Sequence, residues 1–139
     1  MTEHVLETVT GPETLAEMQR TLDAAWASEE VADYTRMCMD LAVSEIGSNI
    51  VEHSGDGRPV RLRMVVALLP DTVTATMTDD GKPAAVDLSQ VGMPDEMSER
   101  GRGLAIAHRL LDELSYSRID DGNRWTLMRR RVNELHGHC

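Results

Sequence analysis

Two alternating runs around one turn constrain this chain most. Val60, Leu62, Met64, Val66 and Leu68 alternate with Arg61 and Arg63, and after Pro70-Asp71 the residues Val73, Ala75 and Met77 sit between Thr72, Thr74, Thr76 and Thr78. Successive strand side chains point to opposite faces, so each run presents one apolar and one polar face. Together they read as an antiparallel hairpin buried on one side. A sheet half-buried in this way has to be covered by helices.

The cover is legible on both sides of the hairpin. His4 to Val9 reads as a first strand, and Thr10-Gly11-Pro12-Glu13 carries a Ser/Thr-x-x-Glu capping box with a proline near the first turn, where a helix should start. Leu15, Met18, Leu22 and Ala25 or Trp26 keep helical spacing until Ser28-Glu29-Glu30 interrupts. A second helix is expected from Val31 to His53, with Met39, Ala42, Val43, Ile46 and Ile50 as its stripe, followed by a turn from Ser54 to Pro59. Between Lys82 and Arg100 the pattern dissolves among Pro83, Gly92 and Pro94, a length usual for a lid or binding segment. A third helix is expected from Gly101, carrying Leu104, Ala107, Leu110, Leu111 and Leu114. Strands from Ser115 to Ile119 and Arg124 to Arg130 then flank the turn Asp120-Asp121-Gly122-Asn123. The expected fold is a two-layer α/β (α+β) sandwich, its mixed or largely antiparallel sheet covered on one face by three helices. Residues 1–131 form one domain and 132–139 a tail.

Composition excludes several classes. At 139 residues, 41% hydrophobic and 27% charged, the chain has the size and balance of one globular domain, without a run of about 20 apolar residues that a membrane span needs. A net charge of −10, from 14 basic against 24 acidic residues, disfavours direct nucleic-acid binding, which needs clustered cations. The N-terminus lacks the basic region and apolar core of a secretory signal, so a cytoplasmic location is expected. Cys38 and Cys139 have neither disulfide nor metal-ligand spacing and read as reduced thiols. With 3% aromatics and no Phe, the core should be aliphatic, with the nine methionines as filler.

The candidate chemistry begins with Glu45 and Asn49, four residues apart and therefore on one helix face, at the edge of the apolar stripe. A carboxylate there can take a hydroxyl proton, and a neutral amide oxygen is a hard ligand for Mg²⁺. Asp79-Asp80-Gly81 leaves the second hairpin strand, so the Asp79 carboxylate can point into a cavity and meet an exocyclic amine while Gly81 lets a base approach the backbone. Gly101-Arg102-Gly103 at a helix start exposes amides and the positive dipole end, where phosphates bind. His136, His138 and Cys139 are read as an incidental cluster on a terminus.

In combination these residues resemble the Bergerat-fold ATPases, the GHKL superfamily that includes histidine kinases and type II topoisomerase subunits. The stretch Leu41 to His53, with Glu45-x-x-x-Asn49, looks like the N box, Asp79-Asp80-Gly81 like the D-x-G box and Gly101-Arg102-Gly103-Leu104 like the following glycine box. Within that superfamily the chain resembles the bacterial anti-sigma-factor serine/threonine kinases. The resemblance implies ATP and Mg²⁺ as cofactors. Glu45 would activate a serine hydroxyl, Asn49 would ligate Mg²⁺, Asp79 would meet the adenine amine and Gly81 would lie beneath the base. Gly101, Arg102, Gly103 and Leu104 would cradle phosphates, His53 would close the N box and Thr126 would join the adenine-binding water network. Pro83 and Ala105 stand where many relatives carry further glycines, which bears on lid motion and phosphate contacts.

The function so implied is an anti-sigma factor that phosphorylates a STAS-type anti-anti-sigma protein, acts as a homodimer and also binds a sigma factor. The alternatives are a nucleotide-responsive, sigma-sequestering module without transfer activity, and a histidine-kinase-type catalytic domain. The last fits less well, because the chain has no upstream helical hairpin with a phosphoacceptor histidine.

Overall fold

The computed structural model describes residues 2–84 and 99–131, with side chains from Gly103 onward in the second stretch. The expected lid from Lys82 to Arg100 lies largely outside these residues, as do the tail 132–139 and its His136, His138 and Cys139. The elements run β1 (Thr2–Val9), α1 (Thr14–Ser28), α2 (Asp33–Asn49), a π-helical turn (Ile50–Ser54), β2 (Arg61–Leu68), β3 (Thr72–Asp79), α3 (Glu99–Leu110), β4 (Glu113–Ile119) and β5 (Gly122–Arg130). The five strands lie in the order β1-β2-β3-β5-β4. Every adjacent pair is antiparallel.

Strand parity decides what is buried. Leu62, Met64, Val66 and Leu68 of β2, Val73, Ala75 and Met77 of β3, and Trp125 and Leu127 of β5 all face the helices. Against them pack Met18, Leu22 and Ala25 of α1, Met39, Ala42, Val43 and Ile46 of α2, and Leu104 and Ala107 of α3. The other face carries Arg61, Arg63 and the β3 threonines, with Val5 and Val9 exposed on β1. Trp125 apart, the core is aliphatic and methionine-rich, as expected from a sequence without Phe.

Several boundaries differ from the sequence-based reading. The capping box does not form: Glu13 makes no side-chain cap, Thr10 Oγ1 accepts from Val60 N at 2.9 Å, and Thr14 Oγ1 accepts from Gly11 N at 2.8 Å. Thr10 is thereby spent on joining β1 to the start of β2. Helix α3 stops at Leu110, so Leu114 lies in β4. Buried Arg129 donates to the Leu110 carbonyl at 2.8 Å and covers the negative end of the helix. Asp112 is already drawn into the sheet through Arg130 N, which donates to its Oδ2 at 2.6 Å. No helix among the described residues is long and apolar enough to cross a membrane.

Arg131 closes the domain beyond β5. Its guanidinium donates to Glu29 Oε1 at 2.6 Å, to the Leu69 carbonyl at 2.9 Å and to the Glu30 carbonyl at 2.8 Å. It thus ties the end of the sheet to the α1–α2 connection and the β2–β3 turn. The hydrogen bond and charge of Arg131 hold the Glu29 carboxyl below its ordinary value of 4.5. A depressed carboxyl pKa stabilises the fold above the unfolded value, and that contribution is lost as pH falls through the folded one. Arg131→Ala is therefore expected to lower the thermal midpoint at pH 7. The gap between variant and wild type should narrow as scanning calorimetry is repeated at pH values falling below 4.5.

Candidate functional site

The expected site residues converge where β3 ends. Asp79 is only 5% exposed, and its Oδ1 accepts from Ser54 Oγ at 2.6 Å, Gly81 N at 2.8 Å and Asn123 Nδ2 at 2.9 Å. A buried carboxylate is tolerable only with such donors around it. Its Oδ2 is equally buried and finds no donor among the described residues. The π-helical turn delivers Ser54: the wider winding after Asn49 carries its hydroxyl to Asp79 and its carbonyl to Lys82 N at 2.7 Å. A straight continuation of α2 to His53, as the sequence suggested, is replaced by this turn.

Gly81 has a steric role that the sequence did not announce. A Cβ there would collide with the Ser54 carbonyl and hydroxyl oxygens, so the turn that holds Asp79 itself requires the glycine. Pro83 removes no hydrogen bond from this turn, because the amides used are those on either side: Lys82 N donates to Ser54, and Ala84 N to Tyr116 Oη at 2.9 Å.

Asn123 was expected in a turn and lies in β5, opposite Asp79 in the antiparallel register. It is 1% exposed. Its Nδ2 also donates to the Lys82 carbonyl at 2.7 Å, while its Oδ1 accepts from the Tyr116 hydroxyl and from Arg118 Nη1 at 3.2 Å. Thr126 is the correction that follows. Trp125 and Leu127 face the helices, so Thr126 points to the open face, opposite Thr76, and cannot reach a network around Asp79. The signal was present in the sequence: running the Leu127, Trp125 alternation back two residues reaches Asn123, not Thr126. Ser54, Tyr116 and Arg118 carry no comparable local signal.

Two adjoining cavities open beside this network. One, of 170 Å³, is bounded by Asn49, Ile50, His53, Pro83, Asn123 and Trp125. The other, of 400 Å³, is lined by Glu45, Ser48, Asn49, His53, Gly103 and Leu104. Asn49 and His53 belong to both, so they form one cleft in the size range of about 300–1,000 Å³ usual for small-molecule sites. The smaller lobe has the flat apolar wall of Trp125, which packs on Tyr116 with ring centroids 4.8 Å apart. Asp79 stands directly behind Ser54 and Asn123, which line it.

In the larger lobe half-buried Glu45 meets α3. A Cβ at Gly103 would lie 2.5 Å from Glu45 Oε2, so the glycine makes room for the carboxylate. Gly101 and Arg102 belong by backbone to the first turn of α3, which opens at Glu99 rather than at Gly101. Leu104 is buried in the core as well as lining the lobe. His53 is exposed at the cleft, with Nε2 3.7 Å from Glu52. Lys82, the sole lysine, lines the smaller lobe, pairs with Asp56 at 2.8 Å and holds the Asp56 carboxyl below its ordinary value.

The residues fit a nucleotide with Mg²⁺. Asp79 Oδ2 offers a free acceptor to a base amine, and Asn49, whose buried Nδ2 has no partner among the described residues, lines both lobes. Among the described residues no group of three or more His, Cys, Asp or Glu gathers. The Asn49 amide oxygen is the kind of hard ligand Mg²⁺ accepts, since that ion takes few protein ligands and fills its sphere with phosphate oxygens and water. Asp79→Asn turns the unmet acceptor into a donor, and Mg²⁺-ATP affinity measured by calorimetry should fall about 10-fold or more, as for a lost charged hydrogen bond of about 1.5–3 kcal/mol. Thr126→Val, on the far face, should stay within about 2-fold of wild type.

Comparisons with known proteins agree with this geometry. The sequence matches the family described as the histidine kinase-like ATPase domain over residues 9–130. Among solved structures it is similar to the histidine kinase domain of the Erythrobacter litoralis EL346 blue-light activated histidine kinase, with a TM-score of 0.54 and 21% identity over 85% of this chain. At that identity the likeness speaks for the fold, and this chain spans 61% of that one. No curated protein matches. The family match covers nearly the whole chain, from the end of β1 to the end of β5, and so this chain belongs to the histidine kinase-like ATPase domains of the GHKL superfamily, a family of ATP-binding domains with kinase- or ATPase-type activity.

Proposed function

We propose that the chain is an ATP-dependent protein serine/threonine kinase that acts as a cytoplasmic anti-sigma factor, works as a homodimer and phosphorylates a STAS-type anti-anti-sigma protein. The observation that carries this reading is Glu45. Its carboxylate lies in the same lobe as Asn49, against Gly103 near the amino end of α3. A serine or threonine hydroxyl is a poor nucleophile and needs a base, whereas a histidine phosphoacceptor is nucleophilic already. A half-buried carboxylate on the phosphate side of the cleft therefore favours a hydroxyl acceptor over a histidine-kinase-type reaction.

When bound, ATP supplies the transferable phosphoryl group and Mg²⁺ screens its charge. The chain's own part is positioning and electrostatics. Asp79 holds the base edge through Oδ2, Asn49 offers its amide oxygen to the metal, and the amino end of α3 meets the phosphates with its free amides. Glu45 accepts the hydroxyl proton at its carboxylate as the serine oxygen bonds to phosphorus and the bond to the ADP oxygen breaks.

The test is transfer of labelled phosphate from Mg²⁺-ATP to a STAS partner by wild type and Glu45→Gln. General-base loss should cost about 10²–10⁴-fold in the transfer rate while ATP affinity stays within about 3-fold. Transfer unchanged in Glu45→Gln would overturn the assignment of the base. Wild type that binds ATP and a sigma factor without any transfer would make it a sequestering module.

A further inference from the structure

We propose that Asn123 is the positioning residue that makes the cleft selective for an amine-bearing base edge, by locking the Asp79 carboxylate with one oxygen committed and the other free. The proposal rests on the reading of the cleft as a nucleotide site. It names a residue that the site motifs do not contain.

The argument starts from the two oxygens of Asp79. A free carboxylate presents either oxygen equally, so its selectivity depends on what breaks that symmetry. Here all three donors converge on Oδ1, while Oδ2 is buried and has no partner among the described residues. Asn123 supplies one of those donors and aligns a second, since its Nδ2 also lies 3.2 Å from Ser54 Oγ. The amide itself is oriented beyond ambiguity. Arg118 Nη1 can only donate, and the Lys82 carbonyl and the Asp79 carboxylate can only accept, so a reversed amide would oppose like groups at all three contacts. The Arg118 guanidinium is itself fixed by donating to the Gly81 carbonyl at 2.7 Å.

Asn123 also lines the smaller lobe, whereas Asp79 stands behind it. A ligand base therefore approaches past an amide whose polar atoms are already saturated by protein. The unmet acceptor Asp79 Oδ2 then dictates the partner, a donor such as an exocyclic amine. An analogue with a carbonyl at that place sets two acceptors against each other, and a site with an unpaired buried group rejects it strongly.

The experiment compares ATP with inosine triphosphate, which carries an oxygen in place of the amine, by calorimetry on wild type, Asn123→Ala and Tyr116→Phe. Wild type should prefer ATP by about 10-fold or more. In Asn123→Ala that ratio should drop by at least about 3-fold, mostly through weaker ATP binding, because the carboxylate regains rotational freedom. Tyr116→Phe keeps the ring on Trp125 and removes only the hydroxyl, so it decides the matter should Asn123→Ala fail to fold; its ratio should also fall. A general loss of structure weakens both nucleotides alike and leaves the ratio unmoved. An unchanged ratio in the folded variants overturns the role of Asn123. Wild type that binds both nucleotides equally overturns the reading of Asp79 itself, and with it the proposal.

Discussion

One carboxylate oxygen joins the parts of this domain that sequence keeps apart. Asp79 Oδ1 gathers donors from residue 54 in the turn after α2, from residue 81 just beyond β3, and from residue 123 at the start of β5. Burying a charge near the end of a sheet is costly unless each donor arrives in place, so the local irregularities around it have one cause. The π-helical turn brings Ser54 within reach, the absence of a side chain at Gly81 lets the turn approach, and the tight hairpin at Asp120, with φ of 35°, starts β5 early enough to pair Asn123 with Asp79.

Helix α2 divides the work. Its apolar stripe from Met39 to Ile46 lies wholly in the core, and the adjoining edge carries Glu45 and Asn49 into the cleft. The helix packs against α3, with Glu45 at the amino end of α3 and Arg129 bridging Tyr34 to the Leu110 carbonyl at the other. The two helices therefore run antiparallel, and Gly103, near the amino end of α3, is held opposite the acid. A glycine is needed there for a steric reason quite apart from any phosphate, because Gly103 gives the carboxylate its place.

Where the sequence misled, a longer-range contact took over a locally plausible signal. The Thr10-x-x-Glu13 pattern has the form of a cap, but β1 and β2 pair such that Thr10 meets Val60. Leu114 continues a helical spacing, yet Asp112 and Arg129 end α3 before it. The family resemblance points to Thr126, but parity sends it to the open face; Asn123 reads as a turn residue and is a central donor. Periodicity was the better guide in both of the last cases.

The sequence by itself determined the two layers, the five strands and three helices, the side of the sheet that is buried, and the acid, amide and glycines of the cleft. Each follows from spacing along a short stretch, where helix and strand geometry relate neighbouring side chains directly. Tertiary structure alone decided how far α2 continues as an α-helix, which glycine serves packing and which side chains complete the site. Ser54, Tyr116, Arg118 and Asn123 acquire their roles only when a buried carboxylate must be satisfied. Its donors come from whatever chain the fold brings alongside, and a single sequence does not record that proximity.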